Sequence, residues 1–227
     1  MTARYALFTI DKLSARFAPE AGVPKGTKPS YNISPAQSVP VIVMRDGARA
    51  IETMKWGFIP AGAKDTNSVF RYKTHIARSE GIFERPTWAD AIRTSRCLIP
   101  ANGFYEWRNL PEGRVPYFIQ TNDQPMFAFA GLYGEWTDPD GKVWGMCALI
   151  TTNSGTDSIM TPSRLPVIVD PADENDWLNP AIGDINTLYK IMRPYDPEQL
   201  KIKRVSDAVN SPKATGSELI VPVTAGY

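Results

Sequence analysis

Short runs of β-branched, aromatic and aliphatic residues, separated by turn-forming residues, are the main pattern along this 227-residue chain. Its 20 prolines and 16 glycines are spread throughout, so few stretches are long enough for a helix. Such spacing is typical of a meandering sheet or barrel. We therefore predict a mostly β (α+β) fold, with a compact β-barrel or sheet core and a few short peripheral helices.

The strand pattern is distributed over the whole chain. The segments that match it are Tyr5–Thr9, Val39–Met44, Ile51–Trp56, Cys97–Pro100, Phe104–Trp107, Tyr117–Gln120, Phe127–Tyr133, Trp144–Thr152, Pro166–Val169 and Ile202–Val205. Helices are predicted after Pro86, near Asp184–Met192, and from Asp170-Pro171 to Leu178, where the Asp-Pro pair supplies a cap and a first-turn proline. The six tryptophans are predicted to lie in the core.

The length of the chain fits a single domain, residues 1–227, with enough surface to bury a substantial core. We find neither a charged and apolar leader nor an apolar run near the roughly 18 residues that span a bilayer. A cytoplasmic monomer with no membrane contact is therefore expected.

Charge is balanced over the whole chain but not locally. The formal net charge is +1, which indicates neither a nucleic-acid partner nor an acidic substrate. Residues 71–96, however, carry six Lys or Arg against three acids, whereas residues 115–141 carry no Lys or Arg. A protein of neutral total charge can still present a basic face. The alternative is a solvated mixture of charges without such a face.

Cysteine and histidine give little sign of metal or redox chemistry. Cys97 and Cys147 lie in apolar runs and are predicted to be buried thiols. With only one histidine and no Cys-rich spacing, we expect no zinc site and no other cofactor.

Motifs in a fixed order carry a resemblance that spans nearly the whole chain. They are Tyr31-Asn32-Ile33-Ser34-Pro35, Lys55-Trp56-Gly57-Phe58-Ile59-Pro60, the run from Arg96 to Trp107 (RCLIPANGFYEW), Leu165-Pro166-Val167-Ile168-Val169, and Val205-Ser206 through Val209-Asn210 to Glu218-Leu219-Ile220. Together they resemble the SRAP (SOS response-associated peptidase) family.

The resemblance implies a β-rich fold with a positively charged groove for single-stranded DNA. In that family an N-terminal cysteine attacks the ring-opened aldehyde of an abasic site, and its sulfur and α-amine close a thiazolidine with the aldehyde carbon. An Asn, a Glu after Gly-Phe-Tyr and a His before Arg-Met-Pro position the sugar and move protons. The partner implied is single-stranded or junction DNA in the response to DNA damage.

This chain departs from most of those catalytic positions. Thr2 stands at the nucleophile, and a hydroxyl gives no thiolate at neutral pH. Ile76 replaces the amide, and the run Met160–Pro166 contains no histidine. Pro60-Ala61-Gly62 also lacks an aromatic residue that would stack on a base. Glu106 alone is retained, which points to a pseudoenzyme.

Candidate functional residues follow from the same comparison. Glu106 is either a proton carrier or a structural group that bonds the N-terminal backbone or Arg4, and alternation places it opposite its aromatic neighbours. Arg4, Arg78 and Arg164 match family positions near the DNA, although each could instead form a salt bridge. His75 neighbours the lost amide position and is a weaker DNA-binding candidate. Thr2 is a nucleophile or Schiff-base amine only if Met1 is removed.

Three functions remain open at this point. The first is DNA binding without the family's cross-link, possibly at abasic sites. The second is an abasic-site lyase that uses the amine of Thr2 together with Glu106. The third is an inactive scaffold that has exchanged DNA for a protein or another ligand, and it predicts a groove without a continuous basic surface.

Overall fold

A computed structural model of the chain describes residues 3–59, 73–155 and 162–223. The strands in these ranges are β1 Tyr5–Leu7, β2 Ser30–Ile33, β3 Ser38–Arg45, β4 Ala48–Trp56, β5 Ile76–Arg78, β6 Arg96–Ala101, β7 Gly103–Leu110, β8 Gly113–Thr121, β9 Phe127–Thr137, β10 Val143–Asn153, β11 Arg164–Pro166, β12 Ile168–Val169 and β13 Leu200–Arg204. The α-helices are α1 Leu13–Phe17, α2 Ala91–Thr94, α3 Glu174–Leu178 and α4 Ile185–Ile191. Short 3-10 turns cover Ile10–Lys12, Pro197–Gln199, Asp207–Asn210 and Ser217–Ile220.

The larger sheet closes on itself. Its order runs β10-β4-β3-β6-β9, and β9 pairs again with β10 through residues 131–137 and 143–149. The ring is antiparallel except where β10 runs parallel to β4. Closure leaves no open edge within the ring, and the residues that point inward form the main hydrophobic core.

One short segment fills the place where β9 and β10 separate. β11 pairs with β10 and β12 pairs with β9, so the segment crosses from one strand to the other. Val167, between them, donates its N–H to Ile150 and accepts from Ala130, both at 2.9 Å. On the other side of β10 lies β5, which runs parallel to it.

A second sheet has the order β13-β8-β7-β1-β2. One of its faces contributes Phe104 and Ile119 to the main core, and the other contributes Tyr105 and Phe118 to a smaller cluster. Residues of the C-terminal segment, Val209 and Leu219, complete that cluster. The N-terminal strand β1 is therefore interior to the sheet, and residues 205–220 cover one side of it.

The fold confirms the mostly β prediction. Cys97 and Cys147 are fully buried and unpaired, as predicted. Four tryptophans are buried as expected, whereas Trp107 and Trp144 are only partly buried and pack at the margins of the two smaller hydrophobic clusters. No helix among the described residues is long and apolar enough to span a bilayer.

Candidate nucleic-acid interface

The C-terminal end of β10 brings two of the predicted arginines together. Thr151 pairs with Arg78 of β5 on one side, and Asn153 pairs with Arg164 of β11 on the other. Paired residues, and residues two apart on a strand, point to the same face of a sheet. Arg78 and Arg164 therefore project from one face on either side of β10, two strand spacings across and two residues along, with their Cα atoms roughly 12 Å apart.

Arg164 is held in place by an ion pair. Its two terminal nitrogens donate to both carboxylate oxygens of Glu80, at 3.2 and 2.8 Å. One of them also donates to the carbonyl and hydroxyl of Thr151, at 2.9 and 3.2 Å. Burial acts to raise the pKa of Glu80, but the hydrogen bonds from Arg164 and from backbone N–H groups outweigh it and leave that pKa lowered.

Arg78 differs from Arg164 in being exposed. Among the described residues its guanidinium has no hydrogen-bond or ion-pair partner. The same surface thus carries one guanidinium that is fixed by an ion pair, Arg164, and one that has no partner among the described residues, Arg78. A guanidinium of the second kind can bind a phosphate without first losing another partner.

Glu106 occupies the middle of β7 in the second sheet, opposite Tyr117, and is only 4% exposed. It shares its face with Phe104 and Arg108, while Tyr105 and Trp107 point to the other side. A carboxylate this deeply buried requires polar partners, because an uncompensated charge in the interior is costly. Its position, beside the backbone of the N-terminal strand, suits either a structural or a proton-transfer role.

Arg4 lies on the opposite face from Glu106. The carbonyl of Arg4 accepts the N–H of Tyr105 at 3.0 Å, which fixes the N-terminal strand beside β7. Its guanidinium donates to Asn32 Oδ1 at 2.7 Å and to the carbonyl of Val209 at 2.9 Å. Burial lowers the pKa of Arg4 because neither of these neutral acceptors offsets the loss of solvation.

His75 and Ile76 lie immediately before and at the start of β5. The His75 ring packs edge-on against Trp56, with 5.9 Å between ring centroids, and its Nδ1 is buried with no partner among the described residues. Burial, together with the smaller effect of the positive charge on Lys73, lowers the pKa of His75 to about 4. Ile76 lines a cleft that Lys73 and Trp88 also border.

Several of the sequence predictions concern residues outside the described ranges. These are Thr2, residues 60–62, and the first two residues of the run Met160–Pro166. Conversely, the sequence analysis did not single out three polar residues near Arg4 for function. Asn32 accepts a hydrogen bond from Arg4, and Asn210 and Arg114 line the same cleft as Arg4. Asparagine is depleted in strands and seldom buried, so an asparagine between Tyr31 and Ile33 in a strand-like run could have drawn attention to Asn32, which is in fact buried.

Comparison with known proteins places these observations in a family. The sequence profile of the family described as "SOS response associated peptidase (SRAP)" matches residues 1–212. The abasic site processing protein YoqW of Bacillus subtilis (strain 168) is 36% identical over 223 residues, which cover 97% of this chain and 99% of that protein. The abasic site processing protein HMCES of Gallus gallus is 29% identical over 230 residues, 88% of this chain and 68% of that protein.

Solved structures share the fold of this chain. A crystal structure of a protein from Bacteroides thetaiotaomicron superimposes with a TM-score of 0.81 at 27% identity, covering 99% of this chain and 98% of that one. A protein from Bordetella bronchiseptica gives a TM-score of 0.75 at 22% identity, which supports the shared fold.

Proposed function

Because the chain belongs to the SRAP family, we propose that it binds single-stranded or junction DNA, including DNA with abasic sites, and does not form a thiazolidine cross-link. Relatives named as abasic site processing proteins support the DNA part of this proposal. The sequence supports the other part, since Thr2 supplies no thiol and Ile76 supplies no amide.

The observation that carries the proposal is the pair of arginines on one face at the end of β10. Arg78 is exposed without a partner among the described residues, while Arg164 is braced by Glu80. A DNA backbone is recognised chiefly through its phosphates, and an available guanidinium next to a fixed one offers such a contact. The expected binding is electrostatic and depends on salt.

The test is a titration of the protein into labelled single-stranded DNA and a matched single-strand/duplex junction, each with and without one abasic site. Native and denaturing gels at two salt concentrations separate binding from covalent chemistry. We expect a salt-sensitive native shift, no adduct on the denaturing gel and no strand cleavage. Strand cleavage would instead support a lyase acting through the N-terminal amine, and a missing shift at low salt would contradict DNA binding.

The substitution Arg78→Gln tests whether the guanidinium of Arg78 contacts a DNA phosphate. Losing one phosphate contact should weaken binding several-fold and reduce the slope of log affinity against log salt by about 0.7 for a single strand. Lys201→Gln is the matched control, because it removes one exposed positive charge on β13, which belongs to the second sheet and not to the sheet that contains β10. Equal weakening by both variants would indicate general charge attraction and remove Arg78 from the interface.

A further inference from the structure

One edge of the second sheet is formed by β13. This strand pairs with β8, and no other strand among the described residues pairs with it on its other side. Val205, just after the strand, donates its N–H to the carbonyl of Pro116 at 3.1 Å. At the other end Gln199 accepts the N–H of Asn122 at 2.9 Å, so the odd-numbered residues bond to β8. The backbone groups of the even-numbered residues therefore point outward, away from the sheet.

Part of this outward edge is already in use. The carbonyl of Arg204 accepts the N–H of Val223 at 3.0 Å. Next to this bond, Val205 and Pro222 form an antiparallel bridge. One residue pair further along, the backbone N–H and carbonyl of Ile202 have no partner among the described residues. The edge therefore accepts an antiparallel segment at one end and offers unused hydrogen-bonding groups at Ile202.

The side chains along this edge carry positive charge. Lys201 is exposed and Lys203 is half-buried, and neither forms an ion pair within the described ranges. Both lysines point to one face of the strand, whereas Ile202 between them packs against the main core on the other face. The third cation of the strand, Arg204, is paired with Glu112 at 3.4 Å. Two ammonium groups without a described carboxylate partner thus flank an available peptide group.

A second copy of this chain does not suit the edge. Antiparallel pairing of two β13 strands about Ile202 sets Lys201 of one copy opposite Lys203 of the other. Like charges directly opposite each other destabilise a strand pair, and lysines on edge strands protect proteins against self-association in this way. Opposite charges in the same positions stabilise a pair. The charge of the edge therefore favours a strand that carries two carboxylates, two residues apart.

We propose that the edge of β13 binds an extended acidic segment of a partner protein by strand addition. The central residue of that segment exchanges two backbone hydrogen bonds with Ile202, and the acidic residues before and after it lie opposite Lys201 and Lys203. An apolar central residue fits beside Ile202, since paired residues point to the same face. This inference concerns a protein ligand and does not depend on DNA binding.

The test uses the full chain and the synthetic peptide Ac-Thr-Glu-Val-Glu-Thr-NH2. Two-dimensional NMR follows the backbone N–H of Ile202, both by its chemical shift and by its rate of hydrogen exchange. In the free protein this N–H should exchange rapidly, and the peptide should shift its resonance saturably and slow its exchange. A peptide with lysine in place of both glutamates should do neither, because like charges then lie opposite each other.

The variant Lys203→Glu should weaken binding of the acidic peptide about ten-fold and allow the lysine peptide to bind. The matched control is Lys25→Glu, which makes the same change of charge at an exposed residue in the loop before β2, the strand at the opposite edge of this sheet, and should leave binding unchanged. A peptide that is N-methylated at its valine keeps both carboxylates but cannot donate to the carbonyl of Ile202, so its binding should be lost.

Protection of the Ile202 N–H by the acidic peptide alone supports strand addition. Slow exchange of this N–H in the free protein would show that the edge is already covered, and it would overturn the proposal. Equal binding of the N-methylated peptide would overturn it as well, because the contact is then charge attraction only. An equal effect of a single-stranded oligothymidylate at the same salt would assign the lysines to nucleic acid and not to a protein strand.

Discussion

The three arginines that the sequence analysis proposed for DNA binding have different neighbours in the structure. Arg164 is committed to Glu80 and Thr151, Arg4 to Asn32 and the carbonyl of Val209, and Arg78 is exposed. Removing Arg164 or Arg4 would leave buried acceptors unpaired, so loss of DNA binding in such variants would combine folding and contact effects. Arg78 is therefore the residue whose substitution reports most directly on binding.

His75 gives a prediction for pH. Burial lowers its pKa to about 4 in the folded state, whereas an unfolded histidine titrates near 6.5. Between these values the unfolded chain binds a proton that the folded protein does not, so the free energy of unfolding must fall as the pH is lowered from 7 to 4. The contribution of this single residue is at most about 3 kcal/mol.

Denaturant unfolding at a series of pH values, compared between the natural chain and His75→Gln, measures this contribution. Subtracting the free energy of unfolding of the variant from that of the natural chain at each pH removes the contribution of the carboxylates, because they titrate in both proteins. The variant should lose part of the stability change between pH 7 and 4. A His75 ring resonance that titrates near pH 6.5 in the folded protein would show the prediction to be wrong.

Among the strands and α-helices, the long strands were predictable, whereas several of the short elements were not. β3, β4, β9 and β10 follow unbroken apolar or alternating runs, and the structure differs from the prediction only at their ends. Three elements were missed: β2, β5 and α1. Each has only three to five residues, and its position is set by neighbours far away in the chain, which no local pattern records.

Two further differences have visible physical causes. The predicted strand Pro166–Val169 divides into β11 and β12, because Val167 forms its hydrogen bonds alternately to β10 and β9. The helix predicted from Asp170-Pro171 begins only at Glu174. Asp170 instead closes a turn, in which its side chain accepts from Ala172 and its carbonyl accepts from Asp173.

Arg96, at the start of β6, joins the helices α2 and α3 to the barrel. Its side chain is buried, and its partners among the described residues are all carbonyls in or beyond α2 and α3, with no carboxylate. These carbonyls belong to Ile92, Arg93, Trp177, Asn179 and Ile182. Burial lowers the pKa of Arg96 to about 10, which still leaves it charged at neutral pH.

Arg96→Met should destabilise the protein by about 3 kcal/mol or more, since it leaves several buried carbonyls without donors. Arg96→Lys should restore little of this, because an ammonium cannot reach groups arranged around a planar guanidinium. Chemical unfolding measures the loss, and hydrogen exchange should show it first at residues 174–182. Full recovery in Arg96→Lys would contradict the assigned geometry.

For the whole molecule, the sequence predicted the family and fold but not how the candidate residues are distributed. Glu106 and Arg4 are close in register, yet strand pleating sends them to opposite faces. Arg78 and Arg164 are far apart in the chain, yet they flank the same strand. Both relations depend on strand pairing between distant segments, which is a property of the assembled sheets.

The loss of several catalytic positions leads to a prediction about restoring them. Thr2→Cys alone should not give efficient cross-linking to an abasic site, because Ile76 offers no hydrogen bond to the opened sugar and residues 160–166 contain no histidine. The measurement is adduct formation on denaturing gels, with mass spectrometry to verify removal of Met1. Rapid adduct formation by the single variant would show that the thiol suffices.

The bond between Arg4 and Val209 joins positions 205 residues apart. Synthesis is vectorial, so residue 4 leaves the ribosome long before its acceptor exists, and β1 enters its sheet between β7 and β2. The guanidinium of Arg4 can acquire its final bonds only once residues up to Val209 have emerged. Chemistry or binding that needs the first residues in this arrangement therefore requires synthesis of the chain at least as far as Val209.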